Sequence, residues 1–161
     1  MTTYLDTHVA RPALVFNLEL SHGRSGASAR VELHDRLAPD AGRPSGVSRL
    51  GRVALRGCLD AVATRRLEQV LDDLASRGVE QVLVDCVELR HIDFRMVPTL
   101  VAALDHFEAC SGGVVLCGLS RYLRDVFRMS GCGSRLRCWP SAADLLAGGA
   151  STPEAGRECA S

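Results

Sequence analysis

The sequence predicts an α/β domain in which a run of parallel strands follows an N-terminal pair of strands. Three observations carry this reading. From Arg52 onward short apolar runs alternate with amphipathic stripes of helical period. Glycine or Ser-Gly steps punctuate the ends of those stripes. Strands joined by crossover helices lie parallel, with right-handed connections. The 161 residues suit one domain with room for an extension. At 47% hydrophobic the chain can bury a core without metal or disulfide support, and with only 4% aromatics that core is Leu, Val and Ala.

Ala13–Leu20 and Ala29–Leu37 read as two strands joined by a Gly/Ser turn at Ser21–Ser28, and Ala38–Ser48 as a Pro/Gly/Ser loop. Residues 1–46 are therefore expected to be a hairpin extension that can supply the first strand of a domain over residues 47–147. Arg52–Arg56 alternates polar and apolar residues like a half-buried strand, and Gly57-Cys58-Leu59-Asp60 turns the chain. Leu67, Val70, Leu71 and Leu74 then form an i, i+3, i+4, i+7 stripe with Gly78 as its C-terminal stop.

Gln81–Val87 is a nearly continuous apolar run, as expected of a strand covered on both faces. Val97, Leu100, Val101, Leu104 and Phe107 make a second helix, with Asp105, His106 and Glu108 opposite and Gly112-Gly113 at its end. Val114–Cys117 is another buried strand. Leu123, Val126 and Phe127 mark a third helix stopped by Ser130-Gly131. A short strand at Arg135–Trp139, a last helix at Ala142–Leu146 and a disordered tail over residues 148–161 complete the expectation.

Composition narrows the function. Nineteen basic and nineteen acidic residues give a net charge of +0, without the electrostatic footprint of a nucleic-acid binder. All the basic residues are Arg, scattered along the chain, which fits a GC-rich genome better than a guanidinium site. The seven Cys form no Cys-x-x-Cys pair, and Cys86 and Cys117 sit inside apolar runs, as free thiols do in a reducing cytosol. No signal peptide or long apolar span is recognised, so a soluble cytoplasmic protein is expected.

Gly57-Cys58-Leu59-Asp60 after a strand resembles the G-x-L-D turn of STAS domains, the fold of anti-sigma factor antagonists. Val82–Ile92 followed by Asp93 is similar to that family's strand, loop and aspartate. Leu119–Cys132 resembles its third helix, which ends in a Met-Ser-Gly or similar triplet, here closed by Gly131. The resemblance spans about Val47–Leu146 and implies a mixed sheet backed mainly on one face by helices. It also implies a protein-binding regulator that recognises partners near Asp93. The departure lies just after that aspartate. The family carries a phosphorylatable Ser or Thr there, whereas this chain reads Asp93-Phe94-Arg95-Met96, with Thr99 the first hydroxyl downstream. Phosphate acts by adding roughly two negative charges, so control by a kinase at this position is not expected.

Asp93 reads as an N-cap, as a partner contact, or as both. If it capped a helix directly, Pro98 would fall inside that helix and crowd Phe94. The helix is therefore expected to start later, with Pro98 in its first turn and a loop displaying Phe94, Arg95 and Met96. The alternative is that Phe94 and Met96 turn inward as core. His91 is expected to be a solvated loop histidine, with pH sensing as its alternative.

His106 and Cys110 are four apart on one helix, but two ligands do not make a zinc site, so no metal and no cofactor are expected. Gly131-Cys132-Gly133 lacks the Lys and the strand context of a phosphate loop. No catalytic residues are assigned, and acidic residues are expected to be solvated on helix faces and strand ends. The expected function is a bacterial signalling protein in transcription regulation, acting through protein–protein interaction at His91, Asp93, Phe94, Arg95, Met96 and Thr99, with Gly57, Asp60 and Gly131 as framework. Its partner would be a kinase-like anti-sigma factor. The alternatives are a STAS subunit docked on an ABC-type (lipid) transporter ATPase, or a scaffold that self-associates as a homodimer.

Overall fold

The computed structural model describes residues 12–23, 26–37, 47–133 and 138–139. Among these residues six strands form one sheet in sequence order. β1 (Leu14–Glu19), β2 (Ser28–Leu37) and β3 (Val47–Leu59) are antiparallel neighbours. β4 (Gln81–Ile92), β5 (Gly113–Cys117) and β6 (Cys138–Trp139) continue the sheet in parallel. Three helices connect or follow them: α1 (Ala61–Ser76), α2 (Val97–Ser111) and α3 (Arg121–Met129). Each crossover steps to the next strand in the same direction, so right-handed connections put the helices on one face. One core joins Leu67, Leu71 and Leu74 of α1, Leu100, Leu104 and Phe107 of α2 and Leu123 and Phe127 of α3 to Val53, Leu55, Val82 and Val84 of the sheet. The mixed sheet, the one-sided helices and the N-terminal hairpin are as the sequence predicts.

Several boundaries differ. β3 starts at Val47, inside the expected loop, and Gly57-Cys58-Leu59 belongs to it instead of turning the chain. Gly57 makes this possible. Its φ of +89° lies in the left-handed region, a Cβ there would run into the Gly26 carbonyl oxygen, and the pairing with β4 shifts register just after it. Asp60 then caps α1, its Oδ1 accepting from the Ala63 N–H at 2.8 Å. β4 runs on to Ile92, beyond the expected end at Val87. Bulges at two points along β4 break the alternation of buried and exposed residues, which is why the strand's second half does not read as one.

α1 and α3 stop in the same way. Val79 N–H donates to the Leu74 carbonyl and Gly78 N–H to Ala75, and the same pattern links Cys132 to Phe127 and Gly131 to Arg128. The expected helix at Ala142–Leu146, the tail over residues 148–161 and residues 38–46 of the loop expected at Ala38–Ser48 lie outside the described residues, as do residues 135–137 of the strand expected at Arg135–Trp139. Among the described residues no helix is long and apolar enough to cross a membrane.

The face opposite α1, α2 and α3 overturns one expectation. Glu32 and Asp85 are not solvated at strand ends; both are buried in mid-sheet. Glu32 pairs with Arg52 across β2 and β3, and Ala54 with Asp85 across β3 and β4, so the three charges meet on one side. Arg52 Nη2 donates to Asp85 Oδ2 at 2.6 Å and Nη1 to Glu32 Oε2 at 3.3 Å, while Arg30 Nε lies 3.0 Å from Glu32 Oε1. Burial works against the Arg52 charge, but the hydrogen bonds and charges of Asp85 and Glu32 outweigh it and raise its pKa.

Candidate partner-binding site

Asp93 closes β4 and opens the candidate site. Its N–H donates to the Leu59 carbonyl at 2.9 Å, tying the end of β4 to the end of β3. Its carboxylate is clamped by the residue two further on. Oδ1 accepts from the Arg95 backbone N–H at 3.0 Å and from Nε at 3.2 Å, and Oδ2 accepts from Nη2 at 2.9 Å. A two-pronged guanidinium–carboxylate pair of this kind is charge-assisted and geometrically specific. The Arg95 hydrogen bonds hold the Asp93 carboxyl below the usual carboxylate range, with a weaker pull from the charge of His91. Asp93 in turn raises the Arg95 pKa.

Phe94–Met96 form a single 3₁₀ turn, closed by the Met96 N–H donating to the Asp93 carbonyl at 2.8 Å. α2 begins only at Val97, so Pro98 sits in its first turn, where its missing N–H leaves no bond unmade. The late helix start is as expected, but what precedes it is a closed turn and not an extended loop. Asp93 caps that turn. Phe94 points outward and is 50% exposed, and the Arg95 side chain is 84% exposed. Met96 and Thr99 are half-buried. The alternative in which Phe94 turns into the core is therefore excluded.

His91 departs from expectation. It lies on β4, not in a loop, and its Nδ1 is 2.6 Å from the Tyr122 hydroxyl oxygen. The two rings stack with centroids 5.8 Å apart and planes inclined by 21°. Tyr122, in the first turn of α3, is 49% exposed, and Val62, in the first turn of α1, is 54% exposed. Neither is legible as a site residue: position 122 is thirty-one residues from His91, and only the β4–α3 packing brings the two together. Val62 falls outside the buried stripe of α1, which is the one weak signal it gives.

These residues share a place in the fold. The carboxyl ends of the parallel strands β3, β4 and β5 all open toward the first turns of the helices that follow them, the usual position of recognition sites on such sheets. The surface there joins a charge-neutral ion pair, Asp93–Arg95, to the exposed apolar groups of Phe94, Tyr122 and Val62. Aromatic and Arg side chains of this kind dominate protein interfaces. Asp60 caps α1 at the carboxyl end of β3, Gly57 holds a positive φ within β3, and Gly131 N–H donates to the Arg128 carbonyl at the end of α3.

His106 and Cys110 do approach, with Sγ 3.8–3.9 Å from the ring nitrogens on the exposed side of α2. Among the described residues no group of three potential ligands forms around them.

No curated protein matches the chain. Solved structures do. The unphosphorylated anti-sigma factor antagonist SpoIIAA is 24% identical with a TM-score of 0.50, covering 62% of this chain and 89% of that one. An anti-sigma factor antagonist from Mycobacterium paratuberculosis is 13% identical with a TM-score of 0.50, covering 72% and 92%. The protein TM1081 is 11% identical with a TM-score of 0.54, covering 60% and 78%. At these identities the likeness is one of fold. The family model described as "Mlab, STAS domain" matches residues 43–137, more than half of the sequence. The chain belongs to the STAS domain family.

Proposed function

We propose that this chain is a non-catalytic regulator that binds a protein partner in the manner of an anti-sigma factor antagonist, in the bacterial cytoplasm. The observation that carries the reading is the outward-facing pair Phe94 and Arg95, the latter fixed by the Asp93 carboxylate at the carboxyl end of the sheet. A guanidinium already held in place loses little freedom on binding, and a half-exposed aromatic beside it supplies apolar area to bury. The partner in this reading is a kinase-like anti-sigma factor. The position after Asp93 is Phe94, so the interaction is not switched by phosphate there, and Thr99 lies half-buried within α2.

A second reading uses the same surface. The matching family model is described as "Mlab, STAS domain" and names no anti-sigma factor, and a STAS subunit docked on an ABC-type ATPase would meet its partner at the same turn. Affinity capture from native lysate, with wild type and the Phe94→Ala/Arg95→Glu double variant, separates the possibilities once the captured proteins are identified by mass spectrometry. A kinase-like anti-sigma factor held by wild type and lost by the variant supports the first reading. An ABC-type ATPase with the same dependence transfers the function to the second. Equal capture by both proteins removes the Asp93 surface from the interface.

A further inference from the structure

Among the described residues β1 is the edge of the sheet, hydrogen-bonded on one side to β2. Its register with β2 runs from Leu14↔Leu33 to Glu19↔Ser28, and in the same register Leu20 N–H donates to the Ala27 carbonyl. Hydrogen-bonded and non-bonded positions alternate along an antiparallel pair. Leu14, Phe16 and Leu18 therefore direct their backbone groups toward β2, and Val15, Asn17 and Glu19 direct theirs outward.

Natural edge strands are blunted by Lys, Pro, bulges, inward-pointing charges or very short length. β1 carries a single charge, Glu19, at its end, and no Pro or Lys. Leu14 and Val15 are 45% and 39% exposed. On the helix side the edge opens into a groove of about 560 Å³ lined by Leu14, Phe16, Leu18 and Val70, with Arg66 and Asp73 among its polar neighbours.

We propose that a second copy of this chain pairs with β1, antiparallel, about a two-fold axis passing at Phe16. The sequence of the strand selects this register. Val15 then exchanges both backbone hydrogen bonds with the partner's Asn17, and Asn17 with the partner's Val15. On the helix side Phe16 meets the partner's Phe16 and Leu14 the partner's Leu18, so every pair on that face is apolar. A one-residue slip sets side chains of opposite faces against each other. A two-residue slip either opposes Val15 with Glu19 or places Leu18 opposite Pro12. The pairing is isologous, as a closed dimer requires. Arg66 and Arg77 are matched by Glu19 and Asp73 around the groove, so two copies meet there without net repulsion. The dimer edge is separated from β4 by β2 and β3, which leaves the Asp93 surface free and the two inferences independent.

Sedimentation of the full chain over a range of concentrations tests this. Wild type is expected to show a monomer–dimer equilibrium. Asn17→Pro removes an outward donor that β2 does not use, and Leu14→Glu places a charge at the apolar seam. Each is expected to weaken dimerisation by more than about tenfold while far-UV circular dichroism stays unchanged. Phe16→Cys reports the register, because opposed residues at a non-hydrogen-bonded position lie about 4.5 Å apart. It is expected to form a disulfide-linked dimer under mild oxidation that neither wild type nor Glu19→Cys forms. A wild type that is monomeric at its highest soluble concentration overturns the proposal. So does a dimer that survives both edge variants, or one that Glu19→Cys cross-links and Phe16→Cys does not.

Discussion

Arg52 reaches from β3 to place Nη2 2.6 Å from Asp85 Oδ2 on β4, in mid-sheet on the face opposite α1, α2 and α3. Asp85 and Glu32 have side chains only 8% and 11% exposed, so each is a carboxylate that water can barely reach. Arg52 links the three central strands β2, β3 and β4 by charge as well as by backbone ladder.

Removing one partner of such a cluster strands the others. Arg52→Met is expected to destabilise the fold by about 3 kcal/mol, because it takes the guanidinium away from buried Asp85 and leaves Glu32 with Arg30 in place of two arginines. The triple variant Arg52→Met/Glu32→Gln/Asp85→Asn removes those charges together and is expected to recover part of the loss. Urea unfolding of the two variants and wild type measures both effects. A single variant as stable as wild type would show the cluster to be energetically neutral.

The Asp93–Arg95 clamp predicts a pH dependence of definite sign. The folded carboxyl titrates below the ordinary carboxylate range, chiefly through the Arg95 side chain. Stability from this pair is therefore fully present above the unfolded value and is lost as pH falls through the lowered folded value. Arg95→Ala is expected to raise the Asp93 pKa toward the ordinary range, leaving only the bond from the backbone N–H of residue 95. Carboxyl-detected NMR titration of the two proteins reads the shift directly.

At Gly57 the backbone conformation and the Gly26 carbonyl both exclude a side chain. Gly57→Ala is expected to cost about 2 kcal/mol, from strain at positive φ together with displacement of the adjoining turn. Thermal unfolding gives the size of the loss. An unchanged midpoint would mean that the bulge can be relieved without glycine.

Asp60→Ala removes the Oδ1 acceptor of the Ala63 N–H and is expected to cost about 1 kcal/mol, whereas Asp60→Asn, which keeps an acceptor, is expected to cost a few tenths. Chemical denaturation of both variants distinguishes a cap from a surface charge. Equal losses would assign the effect to the charge at the start of α1.

The periodicity of Leu67, Leu71 and Leu74, the apolar run at Val82–Cys86 and the Gly stops at 78 and 131 are local signals, and the structure realises each where it was read. Local chemistry also placed the start of α2, since Pro98 tolerates only the first helical turn. The second half of β4 was illegible because two bulges interrupt its alternation, and a bulge is a property of strand pairing and not of one strand.

The sequence by itself determined the fold class, the order of elements and the absence of a hydroxyl between Asp93 and Pro98, because each depends on composition or on neighbours along the chain. Only the tertiary structure decided that Phe94 faces outward, that His91 stacks on Tyr122 and that Arg52 bridges Glu32 and Asp85. Those relationships join residues from separate elements, and the distance between such residues is fixed by how the sheet registers and the helices pack. No period or spacing within the linear chain encodes it.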